Sequence, residues 1–330
     1  MRPSLLALAL VSASLLLVGC SGGSPSAQSP SRPCVTVTDS PIRDADAKKT
    51  IDEMVARIRL APEDEALRSP KSLDDVRTIL RRDAVYLFAN AAAFARSTNT
   101  LDGRFLEATL ELILGESQLV ASQVLTLQAS WVSSDLRVAR ARLATEKGAE
   151  ATDRERMLVQ LVRLVEEGNK MADALGVVGP THVARGAELV RALRQEAPTD
   201  QRTSLLVAEY HRLRGEWNEF DTALKAAEAA PSTRPMPALC YLRAMEKVER
   251  LRKNDEGATL LRDCLAKNPK FIRAQAALVL IARRPREALA ELTKLKAMNE
   301  DHYLVAILEP TLAADQELER LESGAQANAP

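Results

Sequence analysis

From residue 167 onward, small side chains recur at a spacing longer than any single helix or strand requires. Ala174, Ala208, Ala244 and Ala276 follow one another at intervals of 34, 36 and 32 residues. A second series, Gly186, Phe220, Gly257 and Ala288, is spaced by 34, 37 and 31, and the same three intervals relate Val190, Leu224, Leu261 and Leu292. They also relate Leu193, Ala227, Cys264 and Leu295, while Pro198, Pro231 and Pro269 close three of the segments. Such a period holds two helices and a turn, and antiparallel helices about 8 to 10 Å apart need a small residue where their axes come closest. Composition agrees: Ala, Leu, Glu, Lys and Arg make up just over half of 330 residues, the signature of long or repeated helices. Only 11 residues are aromatic, a poor endowment for a barrel or sandwich. Lys plus Arg and Asp plus Glu both number 45, so there is no basic excess to track a polyanion and no nucleic-acid partner is expected.

A helix, a tight turn, a second helix and a closing proline at a period near 34 resemble the tetratricopeptide repeat. The run Gly215-Glu-Trp-Asn-Glu-Phe220 is similar to that family's turn, with Phe220 in place of the usual Ala. The resemblance implies an all-α solenoid of helix-turn-helix repeats over residues 167–298. A capping helix over 299–322 and a disordered tail over 323–330 would follow. Before it lies a helical N-terminal domain over 47–166, readable as degenerate repeats or as a separate bundle. In the family, first helices line a concave groove that holds segments of other proteins. Carried over by position, that groove would comprise Met171, Arg202, Leu205, Glu209, Arg212, Leu239, Leu242, Glu246, Glu249, Lys270 and Arg273.

The N-terminus speaks to location. Arg2 precedes an apolar run from Leu5 to Val18, too short to span a bilayer core but suited to an export signal over residues 1–19. The signal ends Leu17-Val18-Gly19-Cys20, which resembles the bacterial lipobox, so Cys20 is expected to carry acyl chains that join the protein to a membrane. Ser21, where an Asp would favour the inner membrane, implies the periplasmic face of the outer membrane. Residues 20–46 read as the lipidated cysteine and a Ser-, Pro- and Gly-rich tether, too polar to bury a core.

Helix signals punctuate residues 44–166. Thr50 with Glu53, Ser72 with Asp75 and Thr152 with Glu155 have capping-box spacing. The pattern predicts helices over 44–60, 72–97, 103–131, 135–146 and 153–166, with a bend at Gly115 and a helix-helix turn at Gly176-Val-Val-Gly179-Pro180. Ala121, Leu125, Val132, Leu136, Ala139 and Leu143 form one apolar stripe facing a neighbour.

Chemistry-bearing patterns are sparse. His182, His211 and His302 have no second histidine or cysteine pair at metal-ligand spacing, so no metal, cofactor or enzymatic activity is expected. Glu300-Asp301-His302 reads as Asp301 capping the last helix. Cys240 and Cys264 fall at the same end of a predicted helix pair, and two readings stay open: a disulfide favoured by an oxidising compartment, or two buried thiols. Cys34 lies in the tether. The leading functional expectation is a non-catalytic scaffold or assembly adaptor that docks a protein partner of the cell envelope. The alternatives are a lipoprotein that handles a small ligand beside a solute transporter and, less favoured, a cell-wall enzyme.

Overall fold

Apolar periodicity without strand formers is realised as helices alone among the described residues of the computed structural model, which are 44–57, 60–143, 149–230, 236–283 and 285–309. The signal segment with Cys20, the tether up to residue 43 with Cys34, and residues 310–330 lie outside that set. Helix α1 (Asp44–Arg57) takes up the last three residues assigned to the tether. Its run also passes through Thr50, which is therefore not a cap. A single turn, α2 (Pro62–Glu65), leads to α3 (Leu73–Arg81) and, after a 3-10 turn at Val85–Leu87, to α4 (Phe88–Ser97). Ser72 does close a capping box: its Oγ accepts from Asp75 N at 3.1 Å, and the Asp75 carboxylate accepts from Ser72 N at 3.0 Å. The predicted helix over 72–97 is broken at Asp83, which has φ 49°. This buried aspartate bonds His302 Nε2 at 3.2 Å, while Asn299 Nδ2 donates to the Arg82 carbonyl. A left-handed residue, held like its neighbour Arg82 by a tertiary bond, cannot continue a right-handed helix.

Two very long helices follow, α5 (Leu101–Leu143, 43 residues) and α6 (Ala149–Glu196, 48 residues). Neither Gly115 nor Pro180 interrupts them, so the predicted breaks at 115, 132–134, 152 and 176–180 are absent, and Thr152 is interior. The reason is packing. Cβ atoms added to Gly186, Gly179, Gly176 and Gly168 would meet Leu112, Leu119, Ser122 and Leu125 respectively, so α6 runs antiparallel to α5 with a glycine seam between them. Tertiary contact along such a seam outweighs the local cost of glycine, about 1 kcal/mol per residue. Consequently residues 167–198 are not a helix pair. Ala174 and Gly186 lie on one helix about 18 Å apart along its axis, and the expected boundary at 166/167 falls inside α6.

Three helix hairpins then succeed one another: α7 (Gln201–Leu213) with α8 (Trp217–Ala229), α9 (Pro237–Met245) with α10 (Asn254–Lys267), and α11 (Ile272–Ile281) with α12 (Pro285–Met298). Gly215, at φ 69°, ends α7 in the left-handed conformation that glycine tolerates best. A π turn at Glu246–Arg250 prolongs α9. Ala208, Ala244 and Phe220 are fully buried at the hairpin contacts, and a Cβ on Gly257 would sit 3.2 Å from the Ala244 carbonyl oxygen. A final helical segment over residues 303–309 is started by His302, whose Nδ1 accepts from Leu304 N at 3.2 Å. Asp301 does not cap it; its carboxylate accepts from Ala61 N instead.

Helix α5 belongs to three buried clusters at once. Leu110, Ile113 and Leu114 pack with the residues of α3 and α4, Phe105, Ala108 and Leu112 with α6 to α11, and Val120 and Val124 with α11, α12 and residues 304–308. It is the spine on which both halves of the molecule rest.

Candidate functional site

The two sides of α5 differ in chemistry. On the side of the hairpins, a cluster of five charges fills the inner face. Arg212 is fully buried on α7 and donates to Glu249 at 2.6 Å, to Glu209 at 2.9 Å and to Glu116 of α5. Arg273 of α11 donates to Glu116 and Glu209, and its guanidinium lies 4.3 Å from the centroid of the Tyr241 ring. Three carboxylates face two guanidiniums. Burial alone would raise the Glu209 carboxyl, but Arg212 and Arg273 outweigh it and hold the group down at about 2. Glu249 bonds one arginine only: burial, with Glu116 and Glu209 nearby, pushes its carboxyl up to about 7 against the pull of Arg212.

That cluster decides the fate of the predicted groove. Glu209, Arg212 and Glu249 are buried in it, and Arg273 is held by it. Leu205 and Leu242 belong to the hydrophobic core, with Leu239 half-buried against them. Arg202 is spent on Asp102 and Asp200 and stacks 3.9 Å above the Phe105 ring. Glu246 pairs with Arg243 and Arg250, and Lys270 is exposed. These residues do not line an open channel; α5 occupies the place where a peptide would lie. Cys240 and Cys264 are joined by a disulfide, with Cα atoms 5.9 Å apart.

The recess is on the other side of α5, and only Met171 of the groove residues borders it. A cleft of about 840 Å³ lies between α1, α4, the α5/α6 seam and residues 303–307. Its floor is built from two stripes at helical spacing, Leu114, Gln118, Ala121 and Leu125 on α5, and Met171, Leu175, Val178 and His182 on α6. Ala121 and Leu125 come from the apolar stripe seen in the sequence; the side chains of its members from Val132 to Leu143 lie outside the described residues. Ile51 and Val55 of α1 lie one turn apart along a third wall. Tyr86 and Tyr303 also line it, and burial raises both phenols, keeping them neutral.

Polar side chains also border the cleft, among them Lys48, Asp52, Arg68, Asn90, Gln128 and Glu167. His182 Nδ1 lies 2.6 Å from Glu111 Oε2 at one end of the cleft, where Arg96 also donates to Glu111 at 3.2 Å and to Glu107 at 2.6 Å. The His182 side chain is 22% exposed, so water reaches its ring. Gln118, on the floor and only 7% exposed, has a buried Oε1 with no hydrogen-bond partner. His211 pairs with Glu216 at 2.7 Å and His302 with Asp83, both away from the cleft. No group of three or more His, Cys, Asp or Glu side chains suited to a metal is found among the described residues, and no helix there is long and apolar enough to cross a membrane.

Sequence reasoning passed over the cleft because its members are scattered over separated stretches between residues 48 and 307, and the predicted turn at 176–180 cut the α6 stripe in two. The 171, 175, 178, 182 spacing was the available signal. No protein-family model, no curated protein and no solved structure matches the chain.

Proposed function

We propose that this protein is a lipid-anchored lipoprotein on the periplasmic face of the outer membrane. It is a non-catalytic binding protein whose task is to hold a small, largely apolar ligand. The observation that carries this reading is the cleft. Its volume of about 840 Å³ falls in the range of ligand sites, about 300 to 1,000 Å³. Its floor is mainly aliphatic, and charged side chains, among them Lys48, Asp52, Arg68, Arg96, Glu111 and Glu167, border it. The adaptor expectation rested on an open groove along the hairpins, and burial of Leu205, Glu209, Arg212, Leu242 and Glu249 removes that support. The small-ligand alternative therefore leads. The three hairpins from residue 201 to 298 are read as tetratricopeptide-like units whose inner face braces the spine of the binding site. The anchor is Cys20, with the tether setting the cleft away from the lipid surface.

Full-length protein extracted from a bacterial envelope tests this by native mass spectrometry. The wild-type chain is expected to carry a non-covalent small molecule. Ala89→Trp, at an exposed position on the α4 wall, and Val178→Trp, on the floor, are expected to lose it while keeping their melting temperature. Unliganded wild-type protein, or wild-type occupancy in both variants, overturns the reading. In the same preparations Cys20→Ser is expected to abolish the mass of the acyl modification and to release the protein from membranes.

A further inference from the structure

The cleft is an elongated furrow over the seam of two antiparallel helices. On α5 its lining runs from Glu111 to Gln128 and on α6 from Val165 to His182, seventeen residue steps on each, about 25 Å at a helical rise of about 1.5 Å per residue. Between those ends the floor is aliphatic except at Gln118: Leu114, Ala121 and Leu125 come from α5, and Met171, Leu175 and Val178 from α6. The apolar stretch runs eleven steps on α5, from Leu114 to Leu125, and thirteen on α6, from Val165 to Val178, or about 16 to 20 Å. One leaflet of a bilayer core is about 15 Å deep, which is the reach of one membrane acyl chain. The floor therefore matches a single such chain laid lengthwise.

Both ends of the furrow are polar. At one, Arg96 and His182 hold Glu111; at the other, Gln128 Nε2 donates to the Ile307 carbonyl at 3.4 Å. Methylenes beyond the aliphatic floor would lie against these groups, where they gain nothing and displace water from charge. The furrow thus limits chain length.

Its border carries both signs. Lys48 and Asp52 are exposed one turn apart on α1, Arg68 pairs with Glu65, and Glu167 is exposed on α6. A head group there meets cations and anions alike, in water, where exposed ion pairs contribute little. Discrimination is left to the hydrocarbon.

Resting on the reading of the cleft as a ligand site, we infer that its ligand is a single-chain lipid recognised by one extended acyl chain of membrane length in the α5/α6 furrow, with a head group that stays at the border and is not selected.

Full-length protein stripped of non-covalent lipid, titrated with saturated fatty acids from decanoate to behenate and followed by native mass spectrometry, makes the test. Each acid is expected to bind one to one. Affinity is expected to rise about fourfold per added methylene up to palmitate, the worth of burying one CH2, and by no more than about fourfold in all from palmitate to behenate. Palmitoyl lysophosphatidylcholine and hexadecyltrimethylammonium, a zwitterion and a cation on chains of palmitate's length, are expected to bind within about tenfold of it. Ala89→Trp and Val178→Trp should abolish palmitate binding. A limit reached before myristate, or none by behenate, overturns the match in length, and two palmitates per protein overturn the single chain. Heads that differ by more than about tenfold overturn the unselective border, and wild-type affinity for palmitate in both variants overturns its placement. If no chain binds but the protein as isolated carries another small molecule, the lipid is wrong and the ligand site stands. If it carries none, both fall.

Discussion

The two sides of α5 have exchanged the roles that a repeat architecture suggests. The hairpin side, where a groove was expected, is filled by charges that meet one another; the N-terminal side contains the cleft, floored by aliphatic side chains and bordered by charged ones. Buried ionic groups contribute little net stability, because desolvation consumes most of the Coulombic gain, but each arrangement of them fits only one packing. Glu116, Glu209, Arg212, Glu249 and Arg273 come from α5, α7, the π turn and α11, so the cluster fixes how the hairpins sit on the spine. The open side is left to shape a cavity. The sharpest way to break this contrast is Arg212→Met, which strands three carboxylates beside Arg273 alone. A loss of about 3 to 5 kcal/mol is expected in urea unfolding. A loss under 1 kcal/mol would mean that the cluster does not organise the hairpins.

The same side carries a covalent tie. The Cys240–Cys264 bond closes a loop with a sequence separation of 24, which by loop entropy is worth about 3.5 kcal/mol. Cys264→Ala, compared with the reduced and oxidised wild type, is expected to lower unfolding free energy by that amount and to match the reduced protein. Ligand occupancy across α5 should stay unchanged under native conditions.

Slightly smaller is the effect of the proton on Glu249. Its folded value of about 7 lies above the ordinary 4.5 of a free glutamate. The folded chain therefore binds more protons than the unfolded chain between these values, and stability falls as pH rises from 4.5 through 7. Glu209 acts in the opposite sense, its contribution being present above 4.5 and lost as pH falls towards 2. Glu249→Gln keeps the shape and removes the titration. Relative to wild type it is expected to be more stable at pH 8 by up to about 3 kcal/mol, with the advantage shrinking as pH falls to 5. A difference that does not depend on pH would show that the surplus negative charge resides elsewhere.

Much of the fold could be read from the sequence where local and tertiary preferences coincide. Ser72 with Asp75 formed its box, Gly215 its turn, and Ala208, Ala244, Phe220 and Gly257 their contacts between paired helices. Reading failed where they conflict. Gly115, Gly176, Gly179 and Pro180 are breakers by intrinsic preference, yet they lie inside helices of 43 and 48 residues, because a bare backbone lets α5 and α6 approach. The site suffered twice from this. A false turn at 176–180 divided the Met171–His182 stripe, and Arg212 and Glu249 looked like groove charges because no local pattern distinguishes a charge with a partner ninety residues away from a solvated one.

The glycine seam offers the smallest and most discriminating experiment, since one class of substitution should change sign along it. In an open helix, Gly→Ala stabilises by up to about 1 kcal/mol. At Gly115 the new Cβ would lie 2.6 Å from Val183 Cγ2 and 2.9 Å from both the Gly179 carbonyl oxygen and the Val183 nitrogen. Two of these are backbone atoms that cannot rotate away, so the helices must part, and overpacking of this kind costs about 1 to 3 kcal/mol. Gly115→Ala is expected to lose about 1 to 2 kcal/mol net. At Gly168, where the seam borders the cleft, the nearest atom is Leu125 Cδ2 at 3.7 Å, an ordinary contact. Gly168→Ala is expected to gain about 0.5 to 1 kcal/mol. Opposite signs in urea unfolding would show that the two helices are pressed together beside Glu116 and stand apart beside Leu125, so that the tight stretch of the seam is what holds the cleft open. Equal signs would mean that the spacing is uniform and that the cavity owes its width to α1 and α4 alone.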